Sequence, residues 1–433
     1  MNATVEQIHE AVRRIGEARE AVFQDRRTDA TISALAHAAR NWLDPASPWR
    51  QRAIEQAPSA TGFSSAMVSE AIDFTFEVIT EEALGELLDA ELGDRRVLDE
   101  FCRRGQARTR AFGPTLIAHF LAGNVPAPGI VSICCGLLLK SANLIKVSSR
   151  DHVFPALFID SLRAVDAELA DCVAVLDWRR EDVALTQTAL AKADAVIAYG
   201  DDETIGTLRR MCRLGARFLG HGHRLSFAVV AKEAMTADNL PSLTEAAAFD
   251  ASVYDQQGCL SPHAFYVEEG GQLSPREFAA AVAKAMAAYQ ARVPRGDLSV
   301  EEAAQIAKLR GAYEFRSASD KRVALWASAD ANDWLVIYED DPMLTPSCLN
   351  RVVFVKPVER LERVPELVRR FAPHLSTVGV APLNARATEL AGKLGSLGVS
   401  RVCAIGQMQR PPLTWHHDAR PNLADLVRWT DLW

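Results

Sequence analysis

Cys259 lies in the segment YDQQGCLSPH, with Gly258 before it and Ser261-Pro262 after it. A thiolate is a strong nucleophile, and a neighbouring glycine permits the close approach or unusual φ that presenting a thiol requires. Free cysteines are among the most buried residue types, so a structural role is the ordinary expectation for any one of eight thiols. The polar neighbours Asp255, Gln256, Gln257 and Ser261 argue the other way, because a polar turn is a poor place to hide a small apolar side chain. Cys259 is therefore a candidate for attack on an acyl carbon.

Such an attack creates an oxyanion, which needs fixed N–H donors. HFLAGNVPAPG places Asn124 in a Gly/Pro-rich turn that opens an apolar helix, where its amide is such a donor or, equally, an ordinary turn or cap residue. NLIKVSSRD ends a strand with Lys146, Ser148, Ser149 and Arg150 at a helix entry. Hydroxyls, cations and helix N–H groups suit a phosphate-bearing ligand such as the ribose phosphate of an adenine dinucleotide; the competing reading is a solvated loop. In AYGDDETIG, Gly200 leaves room for a cofactor at a second strand-to-helix turn, although no GxGxxG fingerprint is present.

His221 and His223 stand in GHGHRLS, and either imidazole can lower a thiol pKa or protonate a leaving group, or be merely structural or solvated. His223 is placed with Cys259 and Asn124 among the expected catalytic residues. His416-His417-Asp418 invites a metal or triad reading, but adjacent residues point in different directions. No metal site is expected.

The elements that position these residues are legible in outline. Residues 1–110 read as helical, with apolar positions at helical spacing in EQIHEAVRRIGEAREAVF and EALGELLDAELGDRRVLDEFCRR. Short β-branched runs then alternate with amphipathic stretches over 111–231 and again over 232–405, the pattern of parallel α/β sheets. The joint near Lys232 is an expected ligand region, near the carboxyl ends of strands. The Trp- and Pro-rich segment 406–433 reads as an interface packed against another domain or subunit.

With 433 residues, 48 Lys+Arg against 56 Asp+Glu and a net charge of −8, the chain is a globular protein with no general affinity for nucleic acid or anionic membranes. The apolar run VPAPGIVSICCGLLL is too short to span a bilayer and reads as a buried helix. Polar N-terminal residues and scattered cysteines without CxxC spacing point to a cytoplasmic protein with reduced thiols.

HFLAGNVPAPG, NLIKVSSRD, AYGDDETIG, FLGHGHRLSF and QQGCLSP, in this order, resemble the aldehyde dehydrogenase superfamily and, within it, the acyl-CoA reductase branch. DQQGCLSP, SCLNRVVFV and HHDARPNLADLVRW make the pattern similar to the LuxC-type fatty acyl reductases, and the likeness runs from about Phe112 to Trp433. The resemblance implies two doubly wound α/β domains with a helical N-terminal region flanking the cofactor domain and a C-terminal oligomerisation segment. It implies Cys259 as acyl-accepting nucleophile, Asn124 as oxyanion donor, Lys146 at the adenosine ribose and Gly200 beside the pyrophosphate. A homo-oligomer, dimer or tetramer, is implied too. One departure is His417-Asp418-Ala419 where that family has HDG.

The other departure is from hydrolytic aldehyde dehydrogenases, which carry a general-base Glu where nothing acidic stands between Phe218 and Ser226 here. A Cys259 thioester should then be released by reduction or by another thiol rather than by water. The expectation is reduction of an acyl-CoA or carrier-bound acyl group to the aldehyde, with an acyl-transferring partner protein as one possible donor. NADPH is preferred over NADH, because Ser148, Ser149 and Arg150 can meet a 2′-phosphate and because the resembling family uses it. The rival readings are an NAD(P)-dependent aldehyde dehydrogenase running oxidatively and a non-redox acyl-transfer subunit.

Overall fold

A computed structural model describes residues 3–125, 127–329 and 332–433. It divides into two compact units, residues 1–61, 68–223 and 412–433 forming the first, and 62–67 with 224–411 the second. In chain order the first unit contributes β1 (Cys102–Arg104), β2 (Ala107–Phe112), β3 (Leu116–Phe120), β4 (Ala142–Lys146), β5 (Val173–Leu176), β6 (Ala195–Tyr199) and β7 (Arg217–His221). The second contributes β8 (Leu225–Val230), β9 (Pro262–Glu268), β10 (Val323–Ala327), β11 (Leu335–Glu339), β12 (Val352–Val358), β13 (Leu375–Ala381) and β14 (Arg401–Ala404). The tail returns to the first unit as β15 (Arg428–Leu432).

In the first unit, a fully parallel sheet has the order β5-β4-β3-β6-β7. The helix Val5–Phe23 starts in a Thr4/Gln7 capping box and buries Ile8, Ala11 and Ile15, at helical spacing, in one core with Leu116, Ala118 and Leu144. On another side, the apolar run of the sequence analysis is the helix Ala127–Leu138. It approaches β4 so closely that a Cβ on Gly136 would lie 1.8 Å from Asn143 Oδ1. Beneath this helix His119 is fully buried, with Nδ1 2.8 Å from Ser132 Oγ and Nε2 3.0 Å from Asn143 Oδ1.

The stretch 1–110 is not helical to its end. Residues Cys102–Arg104 and Ala107–Phe112 are strands of a small antiparallel sheet, β1-β2-β15, with Phe112 opposite Arg428. Burial along β2 alternates from residue to residue, and its partner β15 is supplied only by the far end of the chain.

The second unit is a seven-stranded sheet, β10-β11-β12-β9-β8-β13-β14, parallel except for the edge pair β10 and β11. β8 shows why: Leu225, Phe227 and Val229 face one apolar layer, while Ala228 and Val230 face the other. Both faces are covered, as a parallel sheet requires. No helix among the described residues is long and apolar enough to cross a membrane.

Candidate active site

In the five-stranded sheet the strand order reverses between β3 and β6, and the crevice beyond the carboxyl ends at such a reversal is where these sheets take ligands. Asn124 and Gly200 lie in the turns that follow these two strands. Lys146 ends β4 half-buried; burial pushes its ammonium pKa down, and among the described residues that ammonium makes no ion pair. The turns after β3 and β4 pack together: a Cβ on Gly123 would lie 2.4 Å from Ser148 Oγ and 2.7 Å from Arg150 Cβ. Ser148 Oγ accepts from the Arg150 N–H at 3.3 Å, and Ser149 and Arg150 are exposed.

At the same turn Asp151 points inward and accepts from the Phe154 N–H at 3.3 Å; burial pushes its pKa up to about 7. The Gly200 N–H donates to the His221 carbonyl at 3.1 Å. The helix after Gly200, Asp202–Met211, is capped by Asp201 and carries Asp202 and Glu203 in its first turn. Its own carboxylates already face the positive end of the helix dipole, so Gly200 offers room there rather than charge. An unpaired ammonium, a guanidinium, two hydroxyls and a glycine-lined turn on one carboxyl edge fit the ribose and phosphate groups of a nicotinamide dinucleotide, held by Lys146, Ser148, Ser149 and Arg150.

Cys259 belongs to the second unit and sits at the amino ends of its strands, directly before β9. Asn124, Lys146 and Gly200 thus follow carboxyl ends of strands in their sheet, whereas Cys259 precedes a strand in its own. The Ser261 N–H donates to the Gly258 carbonyl at 3.0 Å, which puts Cys259 at the centre of a tight turn. The thiol residue is half-buried, and its carbonyl accepts from Ser226 Oγ at 2.8 Å.

Two unusual backbone segments frame this turn. Tyr254, Asp255 and Gln256 have φ of 53°, 50° and 63°, and Leu349, Asn350 and Arg351 have 65°, 58° and 64°. Left-handed conformations cost non-glycine residues roughly 1–3 kcal/mol each and persist only where the surroundings enforce them. Here the two runs are tied together. Arg351 Nε donates to Asp255 Oδ1 at 2.9 Å, and both side chains are buried. Burial nonetheless pushes the Asp255 carboxyl above its usual range, against the pull of Arg351. The Gln256 amide donates to the Pro262 and Val352 carbonyls and accepts from the Val352 N–H, each at 2.9 Å. Gln257 Nε2 donates to Asn350 Oδ1 at 2.9 Å.

Of the two histidines, it is His221 that acquires a buried carboxylate. His221, the last residue of β7, donates through Nδ1 to Asp418 Oδ2 at 3.0 Å, with side-chain exposures of 11% and 2%. His223 is exposed, and its backbone N–H donates to Asp202 Oδ1 at 3.3 Å. Four rings cluster: Tyr199 stacks on His221 at 4.6 Å, His221 on His417 at 4.0 Å and His417 on Trp415 at 4.8 Å, with Tyr199 tilted against His417 at 6.0 Å. His221, His417 and Asp418 hold ligand atoms within 4.8 Å of one another. The two imidazole planes lie 20° apart, face to face.

Sequence reasoning singled out SCLNRVVFV without reading Arg351 or Asn350 as site residues, and it set aside a metal or triad reading of His416-His417-Asp418. A further signal was the Ala in place of Gly: Asp418 and Ala419 have φ of 55° and 61°, the conformation that favours glycine.

The fold is aldehyde-dehydrogenase-like. A solved NAD-dependent benzaldehyde dehydrogenase from Corynebacterium glutamicum matches 100% of this chain and 91% of its own, with TM-score 0.72 and 12% identity. A salicylaldehyde dehydrogenase from Pseudomonas putida G7 matches with TM-score 0.71 and 15% identity, over 100% of this chain and 90% of its own. Identities this low speak for the fold alone. The family model of the acyl-CoA reductases (LuxC) matches residues 23–429, and the chain belongs to that family. The long-chain acyl-protein thioester reductase of Aliivibrio fischeri is 26% identical over 412 residues, covering 92% of this chain and 81% of its own length. That of Vibrio harveyi is 26% identical over 409 residues, with the same coverage. The protein is an oxidoreductase acting on acyl thioesters, and the family implies a nicotinamide cofactor.

Proposed function

We propose that the chain reduces a protein-borne or CoA-borne acyl thioester to the aldehyde with NADPH, through a thioester on Cys259. The observation that carries this reading is the Cys259 turn, held half-buried at a strand end by two interlocked left-handed segments. The thiolate attacks the acyl carbon, and the oxyanion is held by the Asn124 amide and the Cys259 backbone N–H. The bond to the carrier sulfur breaks, and the carrier thiol leaves. A bound reduced nicotinamide supplies the hydride that converts the enzyme thioester to the aldehyde level. The same two donors hold the second oxyanion, whose collapse breaks the bond to Cys259 and restores the thiolate.

No acidic residue stands between Phe218 and Ser226 to activate water, which favours release by reduction over release as acid. Lys146 with Ser148, Ser149 and Arg150 supports NADPH over NADH. The names of the relatives support a protein-borne acyl donor. The small sheet β1-β2-β15 and the 91% exposed Trp433 suit self-association as a dimer or tetramer.

The test follows the absorbance of NADPH, and of NADH in parallel, with long-chain acyl-CoA and acyl-protein thioesters, using Cys259→Ala as control. Aldehyde formed with loss of NADPH, and abolished in the variant, is the expected result. Free fatty acid as the product would point to the oxidative or hydrolytic reading. An acylated Cys259 with no nucleotide consumed would point to an acyl-transfer subunit.

A further inference from the structure

Resting on that reading, we propose that Gln409 is a positioning residue of the acylation step: through Ser261 it fixes the peptide whose N–H, that of Cys259, meets the oxyanion. Every residue of the linkage lies in the second unit. The Cys259 N–H belongs to the Gly258–Cys259 peptide, which is planar and trans, so the N–H points opposite to the Gly258 carbonyl. That carbonyl accepts the Ser261 N–H at 3.0 Å. Whatever holds Ser261 therefore aims the Cys259 N–H.

Ser261 is fully buried, and its Oγ accepts from Gln409 Nε2 at 3.0 Å. The other hydrogen of the same nitrogen goes to the carbonyl of Asp250, in the helix Leu240–Ser252, also at 3.0 Å. With both hydrogens committed, the amide plane of the buried Gln409 is fixed, and its Oε1 is turned toward Gly258. A Cβ on Gly258 would lie 3.3 Å from that oxygen and 3.4 Å from Ser261 Oγ, tighter than most such contacts. The glycine before the thiol thus leaves the space in which Gln409 closes on the turn.

The segment that carries Gln409 is itself held through both its N–H groups and its carbonyls. The fully buried Asp250 carboxylate accepts the Gly406 and Met408 N–H groups at 2.5 and 3.1 Å. The Arg401 guanidinium donates to the Met408 and Gln407 carbonyls at 2.8 and 2.7 Å. Such double fixation is what a precisely aimed amide requires. The peptide on the other side of the thiol has a separate support: Ser226 Oγ donates to the Cys259 carbonyl at 2.8 Å and accepts the Thr377 N–H at 3.1 Å. Ser226 thus holds the Cys259–Leu260 peptide, and Gln409 the one that carries the Cys259 N–H.

The test sets two reactions of the Cys259 thiol side by side, both timed by intact-protein mass spectrometry without nucleotide. Acylation by a long-chain acyl-CoA passes through an oxyanion; alkylation by iodoacetamide displaces iodide from a CH2 group and forms none. Gln409→Met keeps the side-chain length and removes both hydrogen bonds. It should slow acylation about 10-fold or more, part of the roughly 100-fold or more that loss of an oxyanion donor costs, and alkylation by less than about 3-fold. Ser261→Ala cuts the same link from the other end; it should repeat the pattern, and it keeps the proposal falsifiable if Gln409→Met fails to fold. Equal losses on both reagents would reduce Gln409 to a packing role, and unchanged acylation would remove it from the reaction. A parent protein that acyl-CoA leaves unmodified, or a Cys259→Ala variant that is still acylated, would instead overturn the Cys259 reading, and this inference with it.

Discussion

The Cys259 turn and the carboxyl edge of the five-stranded sheet are built in opposite ways. Around Cys259, six non-glycine residues adopt left-handed angles and are tied by a buried ion pair and by a glutamine whose amide bonds three backbone groups. At the sheet edge, Asn124, Ser149 and Arg150 are exposed. A nucleophile at Cys259, as proposed, would have to meet a reacting atom within fractions of an ångström, which a loop ordered in advance by folding provides. The proposed dinucleotide-binding groups could instead be ordered by their ligand when it arrives.

The sharpest way to break this contrast is Arg351→Ala. Removing one partner of a buried pair costs about 3–5 kcal/mol, because Asp255 is left as an uncompensated buried charge. A urea titration should show that loss, and iodoacetamide should alkylate Cys259 at a changed rate. The double variant Asp255→Asn, Arg351→Met should recover much of the stability. An unaltered urea midpoint in the single variant would show that the two left-handed runs hold themselves.

A smaller effect probes the support beneath the sheet edge. Burial pushes the His119 pKa down to about 4 from the usual 6.5. With the folded pKa depressed, the contribution is complete above pH 6.5 and is lost as pH falls toward 4. The unfolded state takes up the proton first, which removes about 3 kcal/mol over that window. Buried Asp151 and Asp250, both pushed up to about 7, act with the opposite sign and favour the folded state at acid pH. The comparison must therefore be differential: parent and His119→Gln are unfolded in urea at pH 7, 5.5 and 4. Parallel pH dependences would refute the assignment.

The smallest effect concerns the tail turn. Ala419→Gly relieves a left-handed alanine and should stabilise the fold by about 1 kcal/mol, visible as a modest rise in Tm. No rise would mean that the flexibility glycine adds to the unfolded chain offsets the relief.

Much of the layout was legible. The runs at NLIKVSS, ADAVIAYG, HAFYVEE and RVVFVKPV are strands β4, β6, β9 and β12, because parallel strands buried on both faces are continuous apolar segments. The helical reading of residues 1–110 took in β1 and most of β2. β2 gains one of its two neighbours, β15, only from the far end of the chain, which no short window shows.

The sequence by itself determined the alternation of elements, the polar turn that offers Cys259, and the group of cationic and hydroxyl residues from Lys146 to Arg150. These are local properties, set by side-chain periodicity and by residues a few positions apart. Only the tertiary structure decided that His221 and not His223 faces Asp418, 197 residues away, and that Arg351 meets Asp255 across 96. It also decided that Tyr254 and Leu349 take up conformations their residue types disfavour. Such pairings and strains are enforced by long-range packing that no short window contains.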